Sequence, residues 1–101
     1  MAEYTISFAI TSHVELTSRP DRHGRTFTML ATQLRLSWGW RDGEWHLFWS
    51  IFGRRYRKTK NDWSPHEKGY MSDYDIDMPA WVQPLVDANA PAMQPTAGGA
   101  L

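Results

Sequence analysis

The hairpin that organises this chain is encoded by residues 34–52, LRLSWGWRDGEWHLFWSIF. Two apolar, aromatic-rich runs flank Asp42-Gly43, a favoured pair for a two-residue type I′ turn because both central residues take positive φ. The turn sets Arg41 opposite Glu44, and a slip of one residue would turn the apolar side chains outward, so we predict a strongly specified register. The resulting apolar pairs share one face: Trp40 with Trp45, Trp38 with Leu47, Leu36 with Trp49, and Leu34 with Ile51.

Two further strand patterns precede and extend this hairpin. Residues 4–16 place apolar side chains at even positions, which predicts one strand. In residues 26–41 the apolar positions change from odd to even, and a β-bulge near Leu30–Thr32 accounts for the change. The third strand is predicted to run from Trp45 to about Lys58. With the bulge, the first two strands pair consistently: Leu16 with Phe27, Val14 with Met29, Ile10 with Leu34, Phe8 with Leu36, Ile6 with Trp38, and Tyr4 with Trp40.

The C-terminal part of the chain predicts an irregular connection and a helix. Residues 61–76 contain several turn residues and are predicted to be irregular. Residues 77–89 are predicted to be helical, with Asp77 as the N-cap. Pro84 leaves two alternatives, a kink at this residue or a regular helix that begins near it. The apolar side chains of the helix that would face the sheet are Trp81, Leu85, Val82 and Val86.

These elements predict an α+β fold: a three-stranded antiparallel meander with one C-terminal helix packed on one face. Residues 1–89 would form a single domain, and residues 90–101, rich in Ala, Pro and Gly, a flexible tail. A chain of 101 residues suffices for one domain with one modest core. The chain has no Cys, which excludes disulfides and thiol chemistry. No signal peptide and no apolar run of membrane-spanning length is visible, so we expect a soluble, cytoplasmic protein without membrane contact.

The formal net charge of zero conceals a division of charge along the sequence. Residues 1–60 contain ten Lys and Arg against five Asp and Glu, whereas residues 61–101 contain one Lys against six Asp and Glu. The neutral total argues against a dedicated duplex-DNA binder. The division favours neutralisation within the fold, or contact between copies of the chain or with a complementary partner.

A basic run and the sheet face opposite the Trp residues are the candidate binding residues. Cations beside aromatic rings can hold a phosphate backbone while the rings stack on bases. The same cations would also keep an edge strand soluble, which is the competing explanation. The basic run consists of Arg54, Arg55, Tyr56, Arg57, Lys58 and Lys60. The opposite face offers Phe48, Phe52 and Arg35, and Trp40 and Trp45, beside the turn, form a possible exposed aromatic patch.

No pattern in the sequence indicates catalysis. The four His residues lack metal-ligand spacing, and nucleophile elbows, phosphate loops and dinucleotide fingerprints are absent. The alternating Asp73, Asp75 and Asp77 offer too few ligands, and no Gly turn, for a calcium loop. We therefore predict a protein that is not an enzyme and has no catalytic residues, cofactor or metal.

Residues 78–87, MPAWVQPLVD, resemble the C-terminal segment of short orphan proteins of high-GC actinobacteria and their phages. In those proteins a Pro-x-Trp-Val-x-x-Leu-Val stretch follows a few Trp-rich strands, and Pro84 departs from the helical pattern expected there. The resemblance implies no activity and favours a small accessory protein of a mobile element. Together with the open sheet edges, it predicts a non-catalytic protein that binds a protein partner or itself. The alternative is a nucleic-acid-binding module that uses residues 54–60 and the aromatic face.

Overall fold

A computed structural model of the chain describes residues 3–57 and 62–91, and it shows an antiparallel sheet with one short helix. The elements are β1 (Glu3–Ala9), β2 (Glu15–Thr17), β3 (Thr28–Arg41), β4 (Glu44–Arg57), β5 (Asp62–Met71) and α1 (Gln83–Asn89). The sheet order is β1-β3-β4-β5, and β2 pairs with β3. The α+β class is confirmed at this level, but the predicted three-stranded meander undercounts the five strands.

The central hairpin has the predicted register. Arg41 lies opposite Glu44, and the four apolar pairs from Trp40–Trp45 to Leu34–Ile51 are those expected from the turn. Asp42 and Gly43 have φ values of 54° and 81°, as a type I′ turn requires. The register of β3 and β4 shifts between Ala31 and Gln33, which confirms the predicted bulge.

The predicted first strand is instead two strands, and its register on β3 differs by two residues. Phe8 lies opposite Leu34, and Leu16 lies opposite Met29. The backbone leaves the ladder between Ile10 and Val14. At the two ends of this gap, the Ile10 N–H and the Val14 C=O still form hydrogen bonds to β3, each of 2.9 Å. A shift of two residues keeps every side chain on its own face, so the apolar alternation that identified the strand could not distinguish the two registers.

β5 corrects the prediction that residues 61–76 are irregular. It pairs with β4 from Ile51↔Met71 onward, and Gly69 lies opposite Gly53. The register shifts between Arg54 and Tyr56 of β4. At this point several β5 residues lie opposite a single β4 residue. Pro65 lies in this interrupted part of an edge strand, where a missing backbone N–H is tolerated. Pro65 and Gly69, which suggested a loop, are therefore residues that an interrupted edge strand can contain.

The helix is shorter than the predicted 77–89. It has Val82 as its N-cap, and Pro84 lies in the first turn, which confirms the alternative that the regular helix begins near Pro84. Asp77 is not the N-cap, and its carboxylate instead accepts a hydrogen bond from the Arg19 guanidinium. Of the predicted tail, residues 92–101 lie outside the described part of the chain.

The core lies between one face of the sheet and the segment that contains α1. Trp38 also stacks on Tyr4 along this face, with ring centroids 5.4 Å apart. Because side chains alternate along a strand, burial of this set leaves the opposite face of the sheet toward solvent. The buried apolar residues are Met29, Ala31, Leu34, Leu36, Trp38, Trp49, Ile51, Met71, Ile76, Val82 and Val86.

Candidate functional site

The candidate site is the sheet face that turns away from the core, called here the open face. The core residues lie on the other side of the sheet, and no described helix or loop packs a core residue against this face. Large aromatic side chains are exposed on it: Phe48 is 58% and Tyr70 53% solvent-accessible. Exposed rings of this size on a small protein commonly mark a binding surface. The charged and aromatic side chains of the open face are Glu3, Glu15, Arg35, Arg41, Glu44, His46, Phe48, Phe52, Arg54, Lys68 and Tyr70, and Ser37 and Ser50 lie among them.

The aromatic residues of the open face are contributed by two neighbouring strands. Phe52 of β4 lies opposite Tyr70 of β5, and their rings meet edge to face with centroids 5.3 Å apart. Phe48 lies four residues before Phe52 on the same strand, about 13 Å away at the rise of a β-strand. The rings therefore form a row along the sheet.

Two arginines of β3 stack on these rings. The guanidinium carbon of Arg35 lies 5.0 Å from the centroid of Phe52, and that of Arg41 lies 6.0 Å from the centroid of Phe48. Cation–π contact fixes a guanidinium over a ring while its N–H groups stay available at the edge of the plane. This geometry presents hydrogen-bond donors and an aromatic surface side by side.

The open face carries four cations against three carboxylates, those of Glu3, Glu15 and Glu44. Arg35, Arg41, Arg54 and Lys68 lie on it, and none of them forms an ion pair within residues 3–57 and 62–91. Glu44 reduces this charge at the turn end, where it lies 3.7 Å from His46. Two carboxylates of residues 73–77 are engaged away from the face: Asp77 pairs with Arg19, and Asp75 accepts the backbone N–H of Ser72 at 3.0 Å. Asp73 lies at the edge of the face, beside Phe48 and Tyr70.

The structure brings together four of the predicted binding residues and separates the others. Arg35, Phe48, Phe52 and Arg54 share the open face, whereas Arg55 stacks on Phe27 at 4.7 Å on the other side of the sheet. Tyr56 and Arg57 belong to β4, but the structure describes only their backbone, and Lys58 and Lys60 lie outside the described residues.

The two tryptophans beside the turn do not form an exposed patch. Trp40 and Trp45 lie on the core side, where they meet edge to face with centroids 5.3 Å apart. Each ring covers part of the other, so both are half-buried rather than exposed. The exposed aromatic surface is instead on the other face.

Four residues near the open face were missed from the sequence: Arg41, Lys68, Tyr70 and Tyr74. Lys68 and Tyr70 alternate with Gly69 and Met71, and this period of two was the available signal for β5. Tyr74 lies in the turn that follows β5 and is 90% solvent-accessible. The sequence gives no local signal for that exposure.

A cavity of about 260 Å³ lies beside Phe48, where β5 ends and the turn of residues 72–76 begins. Phe48, Tyr70 and Tyr74 line it together with the polar side chains of Ser50, Ser72 and Asp73. A second depression, of about 240 Å³, lies on the other side of Phe48 beside Arg41. Phe48 therefore stands between two concave parts of the surface.

The ionisable groups that are described lie mostly apart from one another. In residues 3–57 and 62–91, no three His, Asp or Glu side chains are placed to share a metal ion. The pKa of Asp21 is lowered because its carboxylate accepts the backbone N–H of Arg25, and that of His23. This interaction orders the loop before β3 and lies away from the open face.

Comparison with known proteins gives no relative: no family, no curated protein and no solved structure matches this chain. The resemblance of residues 78–87 to actinobacterial and phage orphan proteins stays a prediction. In the described part of the chain, no helix combines the length and the apolar character needed to cross a membrane. The site therefore has to be interpreted from its own geometry.

Proposed function

We propose that this chain is a non-catalytic binding protein that binds single-stranded nucleic acid on its open face. The observation that carries the proposal is the stacking of Arg35 and Arg41 on Phe52 and Phe48, on a sheet face that the fold leaves uncovered. Of the two binding functions predicted from the sequence, this geometry favours the nucleic-acid alternative over capture of a protein partner.

The exposed rings would stack on bases. Phe48 and Tyr70 are more than half accessible, so a base can lie on either ring without displacing a core residue. Stacking of a base on an aromatic side chain contributes about 1–3 kcal/mol and tolerates any sequence. Bases in a duplex already stack on one another, so this surface is suited to a single strand.

The cations of the open face would hold the backbone of the strand. Arg35, Arg41, Arg54 and Lys68 border the row of rings and carry no ion pair within the described residues. Each phosphate contact releases counterions, so binding should weaken as salt rises. The acidic groups of residues 75 and 77 are engaged elsewhere, so they do not compete with phosphate for these cations.

Fluorescence anisotropy with labelled single strands of about ten nucleotides tests the proposal. We expect Phe48→Ala and Tyr70→Ala each to weaken binding about tenfold, from the stacking energy of one base. Arg35→Ala should weaken binding and reduce its salt dependence, and Arg35→Lys should retain the salt dependence. Arg22→Ala, which removes an exposed loop arginine, is the matched control. Absence of binding at low salt, or binding that is insensitive to salt and to both aromatic substitutions, would refute the proposal.

A second candidate function is pairing of β4 with a strand from a protein partner or a second copy. In the described residues β5 pairs with β4 only from Ile51 onward, so Glu44–Ser50 have a strand on one side alone. The closing pair of a two-residue hairpin is hydrogen-bonded, and the alternation therefore directs the backbone groups of Leu47 and Trp49 away from β3. Such an edge can accept a strand.

Light scattering with and without an oligonucleotide separates the two candidates. A dimer that forms without nucleic acid supports strand pairing, whereas a monomer that gains the mass of one oligonucleotide supports the open face. The triple variant Arg54→Ala, Arg57→Ala, Lys58→Ala should lose nucleic-acid retention and keep self-association, because strand pairing does not need these cations. Loss of self-association in this variant would contradict strand pairing through β4.

A further inference from the structure

We infer that the cavity between Phe48, Tyr70 and Tyr74 receives one unstacked nucleobase and prefers guanine, an inference that rests on the proposed binding of single strands. The cavity is continuous with the open face because Phe48 and Tyr70 belong to both. A strand that stacks along the row of rings would therefore reach it without changing direction. Its volume of about 260 Å³ is just below that of sites for drug-sized ligands, which suits one planar base.

Three accessible rings make the cavity a site for a flat aromatic ligand. Phe48, Tyr70 and Tyr74 are 58%, 53% and 90% solvent-accessible, and each lines the cavity. A ring that is almost wholly accessible gains buried apolar area when a flat ligand covers it. Tyr74 contributes to no other packing in the core, so its exposure is not needed for the fold.

The turn that carries Tyr74 is held in place before any ligand binds. The backbone N–H groups of Asp75 and Ile76 bond to the Ser72 carbonyl at 2.9 and 3.1 Å, and the Asp75 carboxylate accepts the Ser72 N–H. Arg19 donates to the Asp73 carbonyl at 3.0 Å from the far side. A preorganised turn loses little conformational entropy when a base binds.

Asp73 gives the cavity a preference among bases. It lines the cavity, and its carboxylate has no hydrogen-bond or ion-pair partner within residues 3–57 and 62–91. A carboxylate accepts two parallel hydrogen bonds. Guanine is the base whose Watson–Crick edge offers two adjacent donors, its ring N1–H and its amino group, whereas adenine, cytosine and thymine each offer one. Trp49 also lines the cavity and directs its backbone toward it, so its N–H is placed to serve the neighbouring guanine O6.

The test compares oligothymidine strands of about ten nucleotides that carry one central guanine, adenine, cytosine or hypoxanthine. We expect the wild-type chain to bind the guanine strand about tenfold more tightly than the adenine strand, as one two-point base contact provides. The hypoxanthine strand, which lacks the amino group, should lie between them. Asp73→Asn should abolish the preference and keep general binding, while Asp87→Asn, on an exposed helical carboxylate, should leave the preference unchanged.

A second measurement follows Tyr74. Tyr74→Ala should reduce the guanine preference, and Tyr74→Phe should restore it, because the ring and not the hydroxyl stacks. In the wild-type chain, guanosine monophosphate should shift the NMR signals of residues 72–74 more than thymidine monophosphate does.

Three outcomes would overturn the inference, and they are distinguishable. Tight, salt-dependent binding with equal affinity for all four strands would leave the open face as a nucleic-acid surface and remove the guanine site. Absence of binding to every strand would remove both proposals together. A preference that persists in Asp73→Asn would also overturn the role given to this carboxylate.

Discussion

A Cβ atom at Gly53 has no room. We therefore expect the Gly53→Ala variant to unfold at a lower urea concentration and a lower temperature than the wild type. Gly53 lies opposite Ala31 at the β-bulge of β3 and opposite Gly69 of β5. An added Cβ would lie 2.8 Å from the Leu30 carbonyl carbon, closer still to its oxygen, and 2.9 Å from the Met29 Cγ. The obstructing carbonyl belongs to the backbone of a central strand, so it cannot move without disturbing the β3–β4 ladder.

The magnitude follows from the cost of overpacking. Forcing an extra carbon into a packed site costs about 1–3 kcal/mol, occasionally more. Replacement of a strand glycine otherwise gains roughly 0.5–1 kcal/mol. Because the obstruction is backbone, the cost should lie at the upper end of this range, and we expect a net loss of about 2 kcal/mol in the free energy of unfolding. For a domain of this size the melting temperature would fall by roughly 8–16 °C.

Urea unfolding followed by tryptophan fluorescence measures this loss, since six Trp residues report on the sheet. Gly39→Ala is the matched control, because a Cβ at this β3 glycine meets nothing within 4 Å. We expect the control to lie within about 1 kcal/mol of the wild type. Equal midpoints for the two variants would refute the close approach at the bulge, and with it the placement of β3 against β4 there.

Three further substitutions have expected outcomes that simple measurements check. Leu36→Ala, at a fully buried position, should cost about 2–5 kcal/mol in urea unfolding, and a smaller loss would mean that the core is not packed as described. Gly43→Val should cost about 1–3 kcal/mol because φ at this residue is 81°. Asp21→Asn should be less stable than the wild type above about pH 4, where the carboxylate is ionised. Because the folded-state pKa of Asp21 is lowered, the difference in melting temperature between the two proteins should vanish as the pH falls through that pKa. A difference that stays constant with pH would contradict the hydrogen bonds of the loop.

The features that local chemistry determines could be predicted from the sequence. Asp42-Gly43 determines its turn within four residues, and the change of apolar phase near Thr32 revealed the bulge. The register of β1 could not be predicted, because a shift of two residues leaves every apolar side chain on the same face. β5 was missed because Pro65 and Gly69 are turn residues in isolation, and only the close approach of the Met29 side chain explains the second.

In the candidate site too, local features could be predicted from the sequence, whereas features set by distant contacts could not. Phe48, Phe52 and Arg35 could be placed on one face by counting along the hairpin, because its register is local. Tyr70 reaches that face only through β5, and Tyr74 is placed by a turn whose position depends on Arg19, more than fifty residues earlier in the chain. Contacts between residues distant in sequence leave no periodic signal, so this part of the site required the structure.

The interrupted ladder of β5 limits how long the open face stays intact. β5 has a single neighbour, and its pairing with β4 breaks between Arg54 and Tyr56, so this strand should open more readily than the central hairpin. Each opening removes Tyr70 and the adjoining turn while Phe48 and the arginines remain. A ligand that holds Tyr70 would slow this opening, so occupancy would be visible as amide-exchange protection of residues 68–71.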